Sequence, residues 1–170
     1  MQPWKELTPA EFSAHSFTLY DKDWALLTVE AAGRVNAMTI SWGGLGTLWS
    51  SPMATVYVRQ NRYTYGLMEE ADTFSLSFLP GQYRDKLQYL GTVSGRDEDK
   101  IAGSGLTLVH EGGAPAFAEA GLVLVCKKLY AQLMEPGCFT DDSIMGRHYG
   151  KDPSLHKIYM GRVERIFSDQ

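Results

Sequence analysis

Cysteine is scarce: Cys126 and Cys138 are the only two in 170 residues, and they form no C-x-x-C pair. Two thiols make no disulfide framework, so a chain of this length must hold itself by burying an apolar core. The expected setting is the reducing cytoplasm, with one thiol buried and the other in a loop. Positive charge is not in excess either. Sixteen basic side chains face twenty acidic ones, a net −4. That excludes a sequence-independent nucleic-acid binder and a polybasic membrane-surface module, both of which need a basic footprint. Met1-Gln-Pro-Trp-Lys-Glu has no basic start followed by an apolar run, so no signal peptide is expected.

Residues 35–58 carry no charge at all. A membrane span needs about 20 predominantly apolar residues. This stretch instead holds Asn36, Thr39, Ser41, Gly43, Gly44, Gly46, Ser50 and Pro52, which would be stranded in lipid. It reads better as backbone that lies close to something. The usual chemical signatures are missing as well. Four histidines (His15, His110, His148, His156) show no H-E-x-x-H and no ligand spacing with either cysteine, so no metal is expected. There is no G-x-S-x-G elbow and no phosphate loop. Gly44-Leu45-Gly46 starts a dinucleotide fingerprint, but Trp49 stands where Gly or Ala is required.

What is present is mostly strand. Trp24–Ala31, Val35–Trp42, Ala54–Arg59, Thr73–Leu79, Gly121–Met134 (bending near Lys127-Lys128) and Leu155–Phe167 are the six expected strands. Thr73–Leu79 alternates strictly, which predicts one buried and one polar face in an antiparallel sheet. Thr8-Pro9-Ala10-Glu11 predicts a short capped helix. Further short helices are expected over Thr64–Ala71, over Gln82–Leu90 with Gly91 as its stop, and from about Asp97. The pattern predicts a single domain over residues 1–170: a mainly β, six-stranded antiparallel barrel with short helices in the connections.

Three segments suit a planar anionic ligand. In Asn36-Ala37-Met38-Thr39-Ile40-Ser41-Trp42, strand geometry sends Asn36, Met38, Ile40 and Trp42 one way and Thr39 and Ser41 the other. The plainer reading is a hydrophobic strand whose Trp is core. Arg59-Gln-Asn-Arg62-Tyr63-Thr64 lies at a strand-to-helix junction, where unpaired N–H groups and Arg62 would suit a phosphate. The alternative is a Thr helix cap flanked by solvated arginines. In Gly91–Lys100, Ser94, Arg96 and Lys100 would reach a phosphate or ring carbonyl, or else form a charged surface helix.

Taken in order, N-A-M-T-I-S-W-G, R-x-x-R-Y-T, G-T-V-S-G-R-D-x-D-K and the closing H-K-I-Y-M-G-R-V resemble the flavin reductase-like family, in its flavoredoxin-type members, over about residues 20–167. The resemblance implies a Greek-key split barrel that works as a homodimer, with FMN near the subunit interface. NADH or NADPH would be hydride donor, and flavin or a redox partner protein the acceptor. Alternatives within that likeness are an FMN electron carrier without NAD(P)H turnover and a non-catalytic flavin- or haem-binding module. By the same resemblance Asn36, Met38, Thr39, Ile40, Ser41 and Trp42 would line the flavin, while Arg59, Arg62, Tyr63 and Thr64 would serve the phosphate and ribityl chain. Ser94, Gly95, Arg96 and Lys100 would close the site, and His156 would approach the ring or a nicotinamide. No residue is expected to act as a catalytic acid or base. Phe139–Pro153 matches no pattern and is left open as lid, partner surface or loop.

Overall fold

A computed structural model describes residues 4–169; positions 1–3 and 170 of the expected domain lie outside the described residues. Strands β1 (Lys5–Leu7), β2 (Ala25–Ala31), β3 (Arg34–Ile40), β4 (Gly43–Leu48), β5 (Ser51–Arg59), β6 (Thr73–Phe78), β9 (Leu122–Leu133) and β10 (His156–Ser168) form one antiparallel sheet. Its order is β3-β2-β6-β9-β10-β5-β4, with β1 on the side of β10. One core cluster takes Leu27 and Val29, Ile40, Ala54, Val56 and Val58, Phe74 and Leu76, Leu124 and Cys126, Tyr159 and Val163 from six strands along that order. A sheet that buries one face of so many strands in one cluster is rolled on itself. Its two ends, β3 and β4, meet only through Ser41-Trp42 and share no ladder, which makes the barrel split.

The expected class is therefore right and the count is not: the main sheet has eight strands rather than six. β1 is three residues long. β4 reads G-G-L-G-T-L, poor in β-formers, and is held in register by β5 rather than by propensity. Gly43 explains one part of the uncharged stretch: a Cβ there would run into the Tyr20 ring. A separate hairpin, β7 (Leu108–Glu111) and β8 (Ala114–Phe117), turns on Gly112-Gly113, both at positive φ, a signal that was legible in the sequence.

The alternation of β6 correctly marks a strand, but its polar face is not in solvent. Ser75 and Ser77 are fully buried. The β7–β8 hairpin covers them: Ser75 Oγ donates to the Pro115 carbonyl, and Ser77 Oγ accepts from Phe117 N–H. This second cluster also takes Leu26, Val123 and Val125 with Leu87 and Leu90. β9 runs on past Lys128, and a bulge opposite Met160/Gly161 absorbs the expected bend.

Helices are short: α1 (Ser16–Thr18), α2 (Tyr63–Glu70), α3 (Arg84–Thr92), α4 (Lys100–Ser104) and α5 (Asp142–Ile144). Thr8 donates both its N–H and its hydroxyl to the Glu11 carboxylate at 2.8 Å, so the capping box is made on one side only, and Pro9–Glu11 is a single turn and not a helix. α3 runs through Gly91, which lies against Thr39, and so is not stopped by it. α4 starts three residues later than expected because the Asp99 carboxylate accepts from Ala102 N–H and fixes the cap there. Asp99→Ala is expected to cost about 1 kcal/mol of stability, read by chemical denaturation. No helix among the described residues is long and apolar enough to cross a membrane. Neither cysteine is paired; Cys126 is buried and Cys138 exposed.

Candidate functional site

The segments singled out above converge. β3 runs beside the start of α2 and the loop that follows α3. There, Asn36 Nδ2 donates to Thr64 Oγ1 at 2.8 Å. Both side chains are buried. Thr64 is the second residue of α2 and Arg62 its cap, so the Thr-cap reading does not hold; the hydroxyl ties the helix to the strand instead. Gly95 presses on this pair, and a Cβ there would collide with Asn36 Oδ1 and approach Tyr63 Cδ1 at 2.9 Å.

Between these elements lies a cavity of about 160 Å³ lined by Asn36, Met38, Arg62, Tyr63, Thr64, Ser94, Gly95, Arg96 and Lys100, among others. Its lining has three cations and no carboxylate. Arg96 donates to the Asn61 carbonyl at 3.0 Å and lies over the Tyr63 ring. Lys100 is nearly inaccessible, and its ammonium donates to the carbonyls of Leu90 and Val93 at 2.8 and 2.9 Å. It thereby holds the last turn of α3 and the loop after it. Burial, then the Arg62 charge, brings its pKa down to about 8.

A second cleft of about 240 Å³ joins the first through Met38 and Arg62. Met38, Thr39, Ile40, Ser41, Trp42, Tyr57, Arg59 and His156 face it. Ile40 belongs chiefly to the core, and Thr39 Oγ1 donates to the Leu87 carbonyl. Trp42 is no core residue: it is 49% exposed, with its ring 5.3 Å from His156 and 5.6 Å from His148. The guanidinium of Arg59 is already engaged, donating to the carbonyls of Ser154, His148 and Asp152 at 2.9–3.1 Å. Arg62 is the cation common to both cavities. Its charge depresses the pKa of Lys100 at one end and of His156 at the other.

His156 is brought down to about 4, by burial first and then by Arg59, Arg62 and His148. A neutral imidazole in the fold binds fewer protons than the unfolded chain between pH 6.5 and about 4. Stability therefore falls as pH drops through that window. His156→Gln is expected to flatten the acid limb of a Tm–pH profile.

Sequence reasoning missed the residues that close the site from the far side. Phe139–Pro153, left open above, packs over Trp42 and His156: Tyr149 O–H lies 2.7 Å from His156 Nδ1, and Phe139 stacks edge-on against Tyr149 at 6.0 Å. Tyr57 and Asn61 were also missed. Tyr57 had a signal, since alternation along β5 sets it opposite Val56 and Val58.

The molecule is thus an antiparallel split barrel in which a cation-lined cavity opens into an aromatic cleft. Residues 19–169 match the Flavin reductase like domain, and the chain belongs to the flavin reductase-like family. An FMN-binding domain of a flavin reductases-like enzyme from Shewanella baltica OS155 superposes with a TM-score of 0.71 at 17% identity, over 99% of this chain and 78% of that one. Flavoredoxin from Methanosarcina acetivorans gives 0.67 at 23% identity, over 95% and 76%. An uncharacterized protein of Aeropyrum pernix is 29% identical over 154 residues, 82% of this chain. This chain spans only 57% of the length of that relative.

Proposed function

We propose that this protein binds FMN and works as an NAD(P)H-dependent flavin oxidoreductase. The observation that carries the reading is Arg62, placed where a carboxylate-free cavity with three cations opens into the Trp42–His156 cleft. That donor set fits an organic phosphate joined to a flat ring. Arg62, Arg96, Ser94 and the first N–H groups of α2 would hold the phosphate. Asn36, Thr64 and Gly95 shape the wall, and Lys100 positions the loop. Met38 to Trp42 would lie along the ring, with His156 at its edge. Bound FMN supplies the hydride chemistry, so the chain needs no acid, base or metal of its own. Arg59 acts in this reading as the anchor of residues 148–154.

A second copy of the chain completes the proposal. Among the described residues β9 beyond Lys128 pairs only with β10, and Leu129, Tyr130 and Leu133 are exposed along it beside Leu48 and Trp49. An open edge with this much apolar surface needs cover, and a homodimer supplies it. Two unpaired cysteines suit a cytoplasmic setting, where a redox partner or free flavin would take the electrons.

The test is the absorption spectrum of the purified protein loaded with FMN and then mixed with NADH or NADPH. Multiple-turnover oxidation of the nicotinamide supports the reading. A yellow protein reduced only by another donor makes it an electron carrier, and failure to take up FMN ends both. Sedimentation as a monomer that still holds FMN would remove the dimer.

A further inference from the structure

Arg59, Asn61 and Arg62 sit in one tight turn, closed by Arg62 N–H donating to the Arg59 carbonyl at 3.0 Å. Such a turn fixes the directions of its residues relative to one another. Its two sides have different duties. On one side Arg62 borders the cation-lined cavity, and the Asn61 carbonyl accepts from Arg96, which borders it too. On the other side the bonds run to residues 148–155, the outer wall of the ring cleft. Arg59 donates to three carbonyls there, and Gln60 N–H donates to the Leu155 carbonyl at 3.2 Å. His148, carried by that wall, faces the cleft beside Trp42.

Asn61 belongs to both sides. Its carbonyl takes the Arg96 guanidinium at 3.0 Å, and its side-chain amide donates to the Asp152 carboxylate at 2.5 Å. An ionised carboxylate only accepts, so the Asn61 Nδ2 group must be the one that faces it. The other Asp152 oxygen accepts from Ser154 N–H at 2.9 Å, and Asp152 N–H donates to the Tyr149 carbonyl at 3.1 Å. The carboxylate thus gathers its own loop with one oxygen and the turn with the other. Among the described residues no hydrogen bond joins the loop of Ser94, Arg96 and Lys100 directly to the wall; the bonded path between them runs through Asn61.

We propose that Asn61 is a positioning residue that couples the two ends of the ligand site: an anion held by Arg62 and Arg96 orders the turn, and the turn, through Asn61 and Asp152, orders the wall of the ring cleft. The coupling comes from shared freedom. An anion that draws in both arginines pins the turn, so less freedom is left to lose when the wall closes on a ring. By linkage the ring must strengthen anion binding by the same factor. That the two ends serve one flavin and its phosphate rests on the function proposed above; the response of the wall to an anion does not.

Inorganic phosphate alone tests the first half. Hydrogen exchange at the Asp152 and Ser154 amides is expected to slow by about threefold or more when phosphate replaces chloride at equal ionic strength. Riboflavin, which carries the ring without the phosphate, tests the second half. Phosphate should tighten its binding about fivefold, the low end of ordinary coupling between sites. Asn61→Ala keeps the carbonyl that holds Arg96 and loses the amide, so it should leave phosphate binding in place and abolish both effects. Asp152→Ala should do the same. Asp152→Asn, whose amide still bonds a flipped Asn61 amide, should keep both. A tie that is merely structural would lower riboflavin affinity equally with and without phosphate. The proposal is overturned by wall amides that ignore phosphate, by bound riboflavin that gains nothing from it, or by effects that survive in both alanine variants. A protein that takes up neither FMN nor riboflavin, yet slows its wall amides on phosphate, sinks the function above and leaves the coupling standing. Uptake of FMN with no response to phosphate does the reverse.

Discussion

Replacing Arg62 by alanine is expected to weaken FMN binding by about 1.5–3 kcal/mol, the usual loss for a charged hydrogen-bonding partner, which is roughly ten- to more than a hundredfold in dissociation constant. Other cations around the site have structural duties. Lys100 donates to two carbonyls, Arg96 to one, and Arg59 to three. Arg62 has no such bond among the described residues and borders both cavities. Its removal should therefore cost affinity and spare the fold. Flavin fluorescence titration alongside thermal denaturation separates the two. An unchanged dissociation constant would take Arg62 out of the site. Arg59→Ala makes the contrast: it frees residues 148–154, so it should lower Tm first and affinity only as a consequence.

How much of this was legible in the sequence depended on where the information sat. Strands that carry their own pattern, such as Phe74-Ser-Leu76-Ser-Phe78 and Ala54–Arg59, were readable because β-branched or aromatic residues recur at period two. β4 was not, because glycine carries no such signal and its place is set by β5 and by the Tyr20 ring. The fate of the β6 serines was hidden for a related reason. Period two separates the faces of a strand but does not say what covers the second face, and here a hairpin forty residues away does.

For the site, the clustering of Asn36, Arg62, Thr64, Ser94 and Arg96 followed from segments recognised one by one. Individual duties did not. Arg59 and Lys100 looked like ligand groups, as any arginine or lysine near a strand-to-helix corner would. Only the tertiary structure shows that their N–H groups donate to backbone carbonyls. Tyr149 and Phe139 gave no local sign, since an aromatic in a polar loop has the same appearance whether it closes a cavity or faces water.

Gly95→Ala is expected to weaken FMN binding by about 1–3 kcal/mol through overpacking, with global stability little changed. The added methyl would meet Asn36 Oδ1 on one side and the Tyr63 ring on the other. Neither yields easily. Asn36 is 3% exposed and fixed by its bond to Thr64, and Tyr63 opens α2 beneath the Arg96 guanidinium. The loop must move instead, carrying Ser94 and Arg96 away from the mouth of the cation-lined cavity. Because the loop lies outside both core clusters, that displacement should be felt at the ligand and not in the melting temperature. The distinguishing measurement is the pair, FMN affinity and Tm, on Gly95→Ala and on Gly81→Ala, where a Cβ meets nothing within 4 Å. Equal behaviour of the two variants would mean that the approach of Gly95 to Asn36 has no part in shaping the site.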